Sequence, residues 1–398
     1  MKKNTQEMFE VGLRESMRGL PLFLQPVLTW LTGKPLHEQQ PPSYHFPRWG
    51  DVIFTLVLAL GIVALLIYLS ALDTIFAWIG IFVLWLPLVG LLRKVQVTHM
   101  HHAIHNRLFE SSRLNKAYAT LVSAVLFIQN SDEYRKEHLA HHNADVFTTK
   151  DDADAAFLAR LGFLPGRKKD ELWMSLWMTV LSPVFHLLFL QARLTSVFVR
   201  AKPVAVLLSV GAALGYAILL WIVGGKAFLL AVVLPLFPLY HISALLQFLT
   251  EHAWNVAAGP VEDWTHYAQR CWGRFCGARF PQRTNGFGGG ILFVARVMVW
   301  IVKMLFLHLP VRLACLVSDL PAHDWHHLAH MAGQNARAWQ SSLHLRQKAI
   351  ADGDRAGFAQ RELWGLPRMI AHQFTWLESI VCHYEMPGAD SRSHAARK

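Results

Sequence analysis

The chain has 398 residues, 15 of them Trp and 24 Phe; it is 53% hydrophobic and only 16% charged, against roughly 25% charged in ordinary soluble domains. Together with a positive mean hydropathy, this argues against a soluble enzyme and for an integral membrane protein. The net charge of +11 clusters beside apolar runs rather than along a groove, which fits membrane-facing cytoplasmic loops and not nucleic-acid binding.

In chain order, Lys2 and Lys3 lead a mixed polar segment, and the apolar patch Leu20–Leu31 is interrupted by Pro21 and Pro26. Residues 1–51 therefore read as a cytoplasmic, interfacial segment rather than a cleavable signal. The runs Val52–Leu72 and Thr74–Leu92, with only Asp73 between them, each have about the 20 residues a spanning helix needs. A second pair, Val204–Val223 and Ala227–Leu249, is joined by Gly224, Gly225 and Lys226. Lys226 is the only basic residue in the two turns, whereas six lysines and arginines precede the first run and fifteen lie between Arg93 and Lys202. That asymmetry predicts four transmembrane helices in two hairpins, with both termini and the central loop cytoplasmic.

Two further apolar segments are expected to lie at the membrane surface. Leu172–Leu190 contains Pro183 and His186 and has basic residues at both ends, so it reads as interfacial or re-entrant. Ile291–Leu309 carries Arg296 and Lys303 seven residues apart, near one helix face, and reads as an amphipathic surface helix. The glycine run Gly286–Gly290 has no preceding strand and serves as a flexible lead into that helix. The expected fold is an all-α integral membrane protein with four spans, interfacial helices and a cytoplasmic histidine-rich cap. Residues 52–335 form its main domain, and 336–398 a cytoplasmic C-terminal segment ending in a disordered tail. Cys271, Cys276, Cys315 and Cys382 form no CxxC pair, so neither a disulfide framework nor an iron–sulfur site is expected.

Twelve of the 22 histidines fall in four short stretches. "THMHHAIHN" supplies His101 and His105, just past the second apolar run. "EHLAHHNAD" supplies His138, His141 and His142; "TEHAWN" supplies His252 just past the fourth run; and "AHDWHHLAH" supplies His323, His326 and His327. On a helix, positions i, i+3 and i+4 share a face, so HxxHH offers three imidazoles and HxxxH two. Nine nitrogen donors exceed one metal's needs and suit two. Imidazole ligation alone leaves Zn, Cu, Fe and Ni open. A structural zinc site needs four ligands, usually with cysteines, and the ExxH motif of soluble di-iron bundles is absent. A histidine-rich di-metal centre at a membrane surface follows.

The series HxxxH, HxxHH, EH, HxxHH on two helical hairpins resembles the membrane fatty acid desaturase superfamily over about residues 50–335. The resemblance implies two non-haem iron ions, with His101, His105, His138, His141, His142, His252, His323, His326 and His327 as ligands. It also implies that O2 and two electrons are used to attack an unactivated C–H bond of a lipid or fatty acyl substrate. Desaturation is the leading expectation. Hydroxylation of an alkane, fatty acid or terpenoid, or oxidative decarboxylation to a terminal alkene, are the alternatives on this scaffold. The first box carries His102 where such families commonly have an acid, and His99 opens an alternative register to His101.

With no HPGG stretch in the sequence, the electrons are expected from a separate ferredoxin, rubredoxin or cytochrome with its reductase. A bacterial inner membrane is the expected location. Glu137, Asp145, Glu251 and Asp324 lie beside the boxes and are candidate outer partners for the imidazoles. His241 reads as a hydrogen-bonded packing residue, and His330 as lying outside the ligand set.

Overall fold

A computed structural model describes residues 12–42, 46–283, 289–329 and 339–380. His330, Cys382, the C-terminal tail and most of the glycine run lie outside these. The chain is predominantly helical: α1 (Gln25–Thr32), α2 (Arg48–Ser70), α3 (Ile75–Ile104), α4 (Ser112–Leu126), α5 (Ser131–His141), α6 (Ala153–Arg160), α7 (Lys169–Leu181), α8 (Pro183–Phe198), α9 (Pro203–Val223), α10 (Gly225–Leu249) and α11 (Trp264–Gln269). After them come strand β1 (Gly273–Phe275), α12 (Gly290–Ala314), α13 (His323–Leu328), α14 (Ser342–Ala351), β2 (Glu362–Trp364) and α15 (Leu366–Ser379). The chain is not wholly helical, because β1 and β2 pair in parallel with Gly273 opposite Glu362.

Among the described residues, five helices are long and apolar enough to cross a membrane, α2, α3, α9, α10 and α12, which leaves the expected number of four crossings open. The protein is a multi-pass membrane protein. α12 is among them because it keeps an apolar surface along its length despite Arg296 and Lys303; Ile291, Val294, Met298, Val302 and Phe306 all face outward. The segment read as interfacial or re-entrant breaks between Leu181 and Pro183 into α7 and α8, bent by 68°. Pro183 has no N–H to continue the helix and takes the first position of the next one.

Both hairpins turn tightly, the second through Gly224 alone. Thr74 caps α3 by accepting a hydrogen bond from Ala77 N, so only Ala71, Leu72 and Asp73 lie between the end of α2 and the cap. Lys226 Nζ meets Asp73 Oδ1 at 2.8 Å, which puts both hairpin turns at the same end. The pair is exposed and adds little stability, but it reports how the hairpins lie together.

At their other ends the helices carry the polar boxes. α3 continues through a wide π-helical segment, Val95–Met100, into His101–Ile104. α10 is also π-helical over Leu229–Val233 and Pro235–Leu239. Its prolines withhold backbone donors, and side chains from other helices use the carbonyls nearby. Trp85 Nε1 donates to Leu230 O at 2.8 Å, and Arg193 to Leu236 O at 2.8 Å.

α3 and the end of α12 cross closely. A Cβ on Gly90 would lie 1.7 Å from Leu313 O, so the backbones meet with no room for a methyl group. Gly90→Ala is expected to cost about 1–3 kcal/mol through overpacking. A thermal unfolding curve of the detergent-solubilised variant should show a lower midpoint; an unchanged midpoint would mean that the two helices separate easily.

Candidate metal centre

The nine histidines come from four places and meet in two adjoining groups. His101 and His105 occupy the end of α3 and the residue after it. His138 and His141 close α5, and His142 follows them. His252 stands three residues beyond α10, and His323, His326 and His327 lie on α13. One group is His101, His105, His138, His142 and His326; the other is His141, His252, His323 and His327. Within each group, one ligand atom per residue lies within 4.8 Å of all the others.

Helix geometry sets this division. Residues i and i+4 lie about 40° apart around the axis, and i+3 lies about 60° to the other side of i. His138 and His142 therefore point into the first group while His141 points into the second. In α13 the assignment is reversed: His323 and His327 enter the second group and His326 the first. Each HxxHH box thus serves both groups, and stacked rings join them, with His142 and His327 centroids 4.3 Å apart.

The donor set fits metal ions. Nε2 atoms face each other at 3.0 Å in His101–His326 and His326–His142, and at 3.1 Å in His138–His142 and His323–His327. Two imidazoles bound at about 2.1 Å and at right angles would stand about 3.0 Å apart. Nε2 of His105 and both ring nitrogens of His252 are buried without a hydrogen-bond partner, an arrangement a folded protein seldom leaves uncompensated. Burial, and then the charge of neighbouring histidines, holds His105, His138, His142, His252, His323, His326 and His327 below the ordinary imidazole range. They are neutral, the form in which imidazole binds metal.

His141 differs. Burial disfavours its charge, but Asp152 outweighs that and raises it to about 9. Asp152 Oδ2 accepts from His141 Nδ1 at 2.7 Å, which turns Nε2 toward the second group, where binding a metal would displace the Nε2 proton. Tyr267 OH reaches His327 Nδ1 at 2.9 Å, and Val97 O lies 3.2 Å from His101 Nδ1.

The neighbouring positions resolve differently from one another. His99 belongs to neither group: its Nε2 meets Asp51 Oδ2 at 2.8 Å and its Nδ1 the Tyr118 hydroxyl at 3.3 Å. His102 turns away to Asp319 at 3.1 Å and stacks on Trp339. Of the four acids considered as outer partners, only Glu251 contacts one of the nine rings among the described bonds. Its Oε1 lies 3.1 Å from His323 Nε2, the atom that also faces His327, so the carboxylate stands at the edge of the second group. Glu137 accepts from Gln129, Asp145 is exposed, and Asp324 is paired with Arg346. His241 hydrogen-bonds Arg193 at 2.9 Å.

With this geometry in view, a comparison with protein families decides the kinship: the fatty acid desaturase family model matches residues 82–280, half of the chain. The chain belongs to the fatty acid desaturase family. No curated protein and no solved structure matches it. The matched region of this desaturase-family chain contains the first two boxes and His252 but stops before His323. Folding brings that last box against His252, with the His327 and His323 ring centroids 4.6 and 5.3 Å from it.

The outer partners Asp152 and Tyr267 were missed in the sequence. Asp152 lies in the acidic run "KDDADA", but nothing in its spacing shows that the loop folds back onto His141. Tyr267 has no local signal at all.

Proposed function

We propose that this protein is an O2-dependent membrane oxidoreductase that introduces a double bond into a fatty acyl chain, using two iron ions held by the nine histidines. The observation that carries this reading is the pair of adjoining, all-imidazole groups at one end of the apolar helices. Bound iron would supply the chemistry of O2 reduction and hydrogen removal from two adjacent methylenes. With two external electrons and two protons, the balance is one double bond and two waters per O2. A separate ferredoxin, rubredoxin or cytochrome with reductase would deliver the electrons.

The chain's own part is to fix the imidazoles and keep the second group dry. Phe147 stacks on Tyr267 with centroids 4.3 Å apart and lies 4.8 Å from the His252 ring, while Trp254 lies 5.2 Å from it. A cavity of about 500 Å³ opens among α2, α3 and α12, with Phe46, Leu58, Leu91, Leu313 and Val317 in its walls alongside Asp51, Lys94, Arg312 and Asp319. Its size and mixed lining suit an amphipathic ligand, an apolar chain with a polar end, taken from the bilayer.

Four crossings, with α12 on the cytoplasmic surface, agree best with the site. Trp300 Nε1 donates to Ala278 O at 2.7 Å, and Gly277 N to His308 Nδ1 at 3.1 Å. These bonds fold α12 back along the segment that leads into it. A single crossing by α12 would separate His323 from His252 by a bilayer. The termini and both groups would then face the cytoplasm, and in a bacterium the host membrane would be the inner one.

The test is mass-spectrometric analysis of fatty acids and volatiles from cells expressing the chain, with the double substitution His326→Ala, His327→Ala as control. A new double bond that vanishes in the control is expected. A hydroxylated product or a terminal alkene would replace desaturation by that reaction. An unchanged profile in the presence of a competent electron donor would reject the acyl substrate.

A further inference from the structure

The helix that carries the third box cannot hold its histidines by itself. α13 has only six residues, and Ala322 before it provides no side-chain cap; so short a helix is not stable alone. What grips it is a buried chain of alternating charges outside the family-matched region. Arg346 of α14, 2% exposed, donates from Nε to both oxygens of Asp324 at 3.0 Å and from Nη2 to Oδ2 at 2.9 Å. Its Nη1 donates to Glu362 Oε1 on β2 at 2.9 Å, and Nη2 also to Phe358 O at 3.0 Å. Glu362 in turn is paired with Lys34.

The guanidinium lies between Phe275 and Phe358, with ring centroids 5.0 and 5.1 Å away. On β1, a Cβ at Gly273 would come within 2.7 Å of Nη2, so the strand leaves room for it. Asp324 sits between His323 and Trp325 and accepts Trp325 N at 2.9 Å. The fork on Asp324 therefore fixes the rotation of α13 about its axis, and with it the aim of His326 into one group and His323 and His327 into the other.

We infer that Arg346 is a positioning residue for the third histidine box, locking α13 through Asp324 and tying it through Glu362 and Lys34 to the N-terminal segment. This rests on the reading of the box as metal-binding, but it concerns the protein alone. Lysine could not reproduce it, since an ammonium lacks the planar fork that spans Asp324 while also reaching Glu362.

Two readouts on the purified full-length protein test it. In the metal-free protein, hydrogen–deuterium exchange over residues 323–328 should run at least about tenfold faster in Arg346→Met and Asp324→Asn than in wild type, with α9 and α10 unchanged. Metal content, measured after loading with ferrous iron, should fall from two ions per chain to one or fewer. Arg346→Lys should lie between.

Wild-type exchange rates in both folded variants would overturn the inference, as would faster exchange with metal content unchanged. Should Arg346→Met fail to fold, Asp324→Asn decides, because it keeps the side-chain shape and removes only the charge. A wild-type protein that takes up no metal would sink the metal reading, and the exchange measurement would still judge Arg346.

Discussion

Alanine at His101 is expected to abolish product formation and deplete bound metal, whereas alanine at His99, two residues upstream, leaves both nearly intact. His101 Nε2 is 3.0 Å from the His326 nitrogen and belongs to the five-histidine group. Its removal takes away a direct donor, so the loss should exceed the about 10- to 100-fold typical of losing an outer partner. His99 is just as buried, but both of its nitrogens are engaged elsewhere, with Asp51 and Tyr118. His99→Ala leaves Asp51 paired to Lys94 at 2.7 Å and should cost about 1–3 kcal/mol of stability, as for an unsatisfied buried group. Iron per chain and product yield, measured on the two variants in parallel, decide the register of the first box. Metal loss in His99→Ala with retention in His101→Ala would reverse the assignment.

The histidine pattern was legible because its information is local. Spacings of three and four residues fix which rings share a helix face, and the apolar runs locate those faces at one end of the hairpins. The partition into five and four was not legible, because it depends on how α5 and α13 rotate against each other. The outer partners fared worst. Glu137, Asp145, Glu251 and Asp324 are neighbours in sequence, but on a helix the residue next to a ligand points about 100° away from it. Glu137 and Asp324 accordingly face other partners, and the carboxylate that does serve His141 arrives from a loop eleven residues on. Glu251 reaches His323, a histidine remote in sequence, rather than the His252 beside it. For α12, two charges in a long apolar segment did not lower its hydropathy enough to separate a surface helix from a span. The contacts of Trp300 and His308 with the preceding segment, which support the surface placement proposed for it, are not legible in the sequence.

Asp152→Asn should lower metal affinity and product formation by about 10- to 100-fold and cost about 1–3 kcal/mol of stability, because the buried Thr148 N loses its acceptor. Asp152 is 1% exposed and does three things. Its Oδ2 accepts from His141 Nδ1 at 2.7 Å and from Thr148 N at 2.9 Å, and its Oδ1 accepts from Asp154 N at 3.1 Å, capping α6. Asparagine is as good an N-cap as aspartate, so with its oxygen on Asp154 N the helix start survives. Its NH2 then faces two donors. His141 can accept from that amide only in the tautomer that carries its proton on Nε2, the atom the second group requires. On the proposed metal-binding reading, asparagine in place of aspartate therefore blocks the donor atom of His141 while keeping the helix cap. Asp152→Ala should add the loss of the cap, about 1 kcal/mol, to the same metal defect. Competition titration with a metal chelator, alongside thermal unfolding of the two variants, separates the contributions. Wild-type affinity in Asp152→Asn would show that His141 keeps its orientation without the carboxylate, and that Asp152 serves the loop alone.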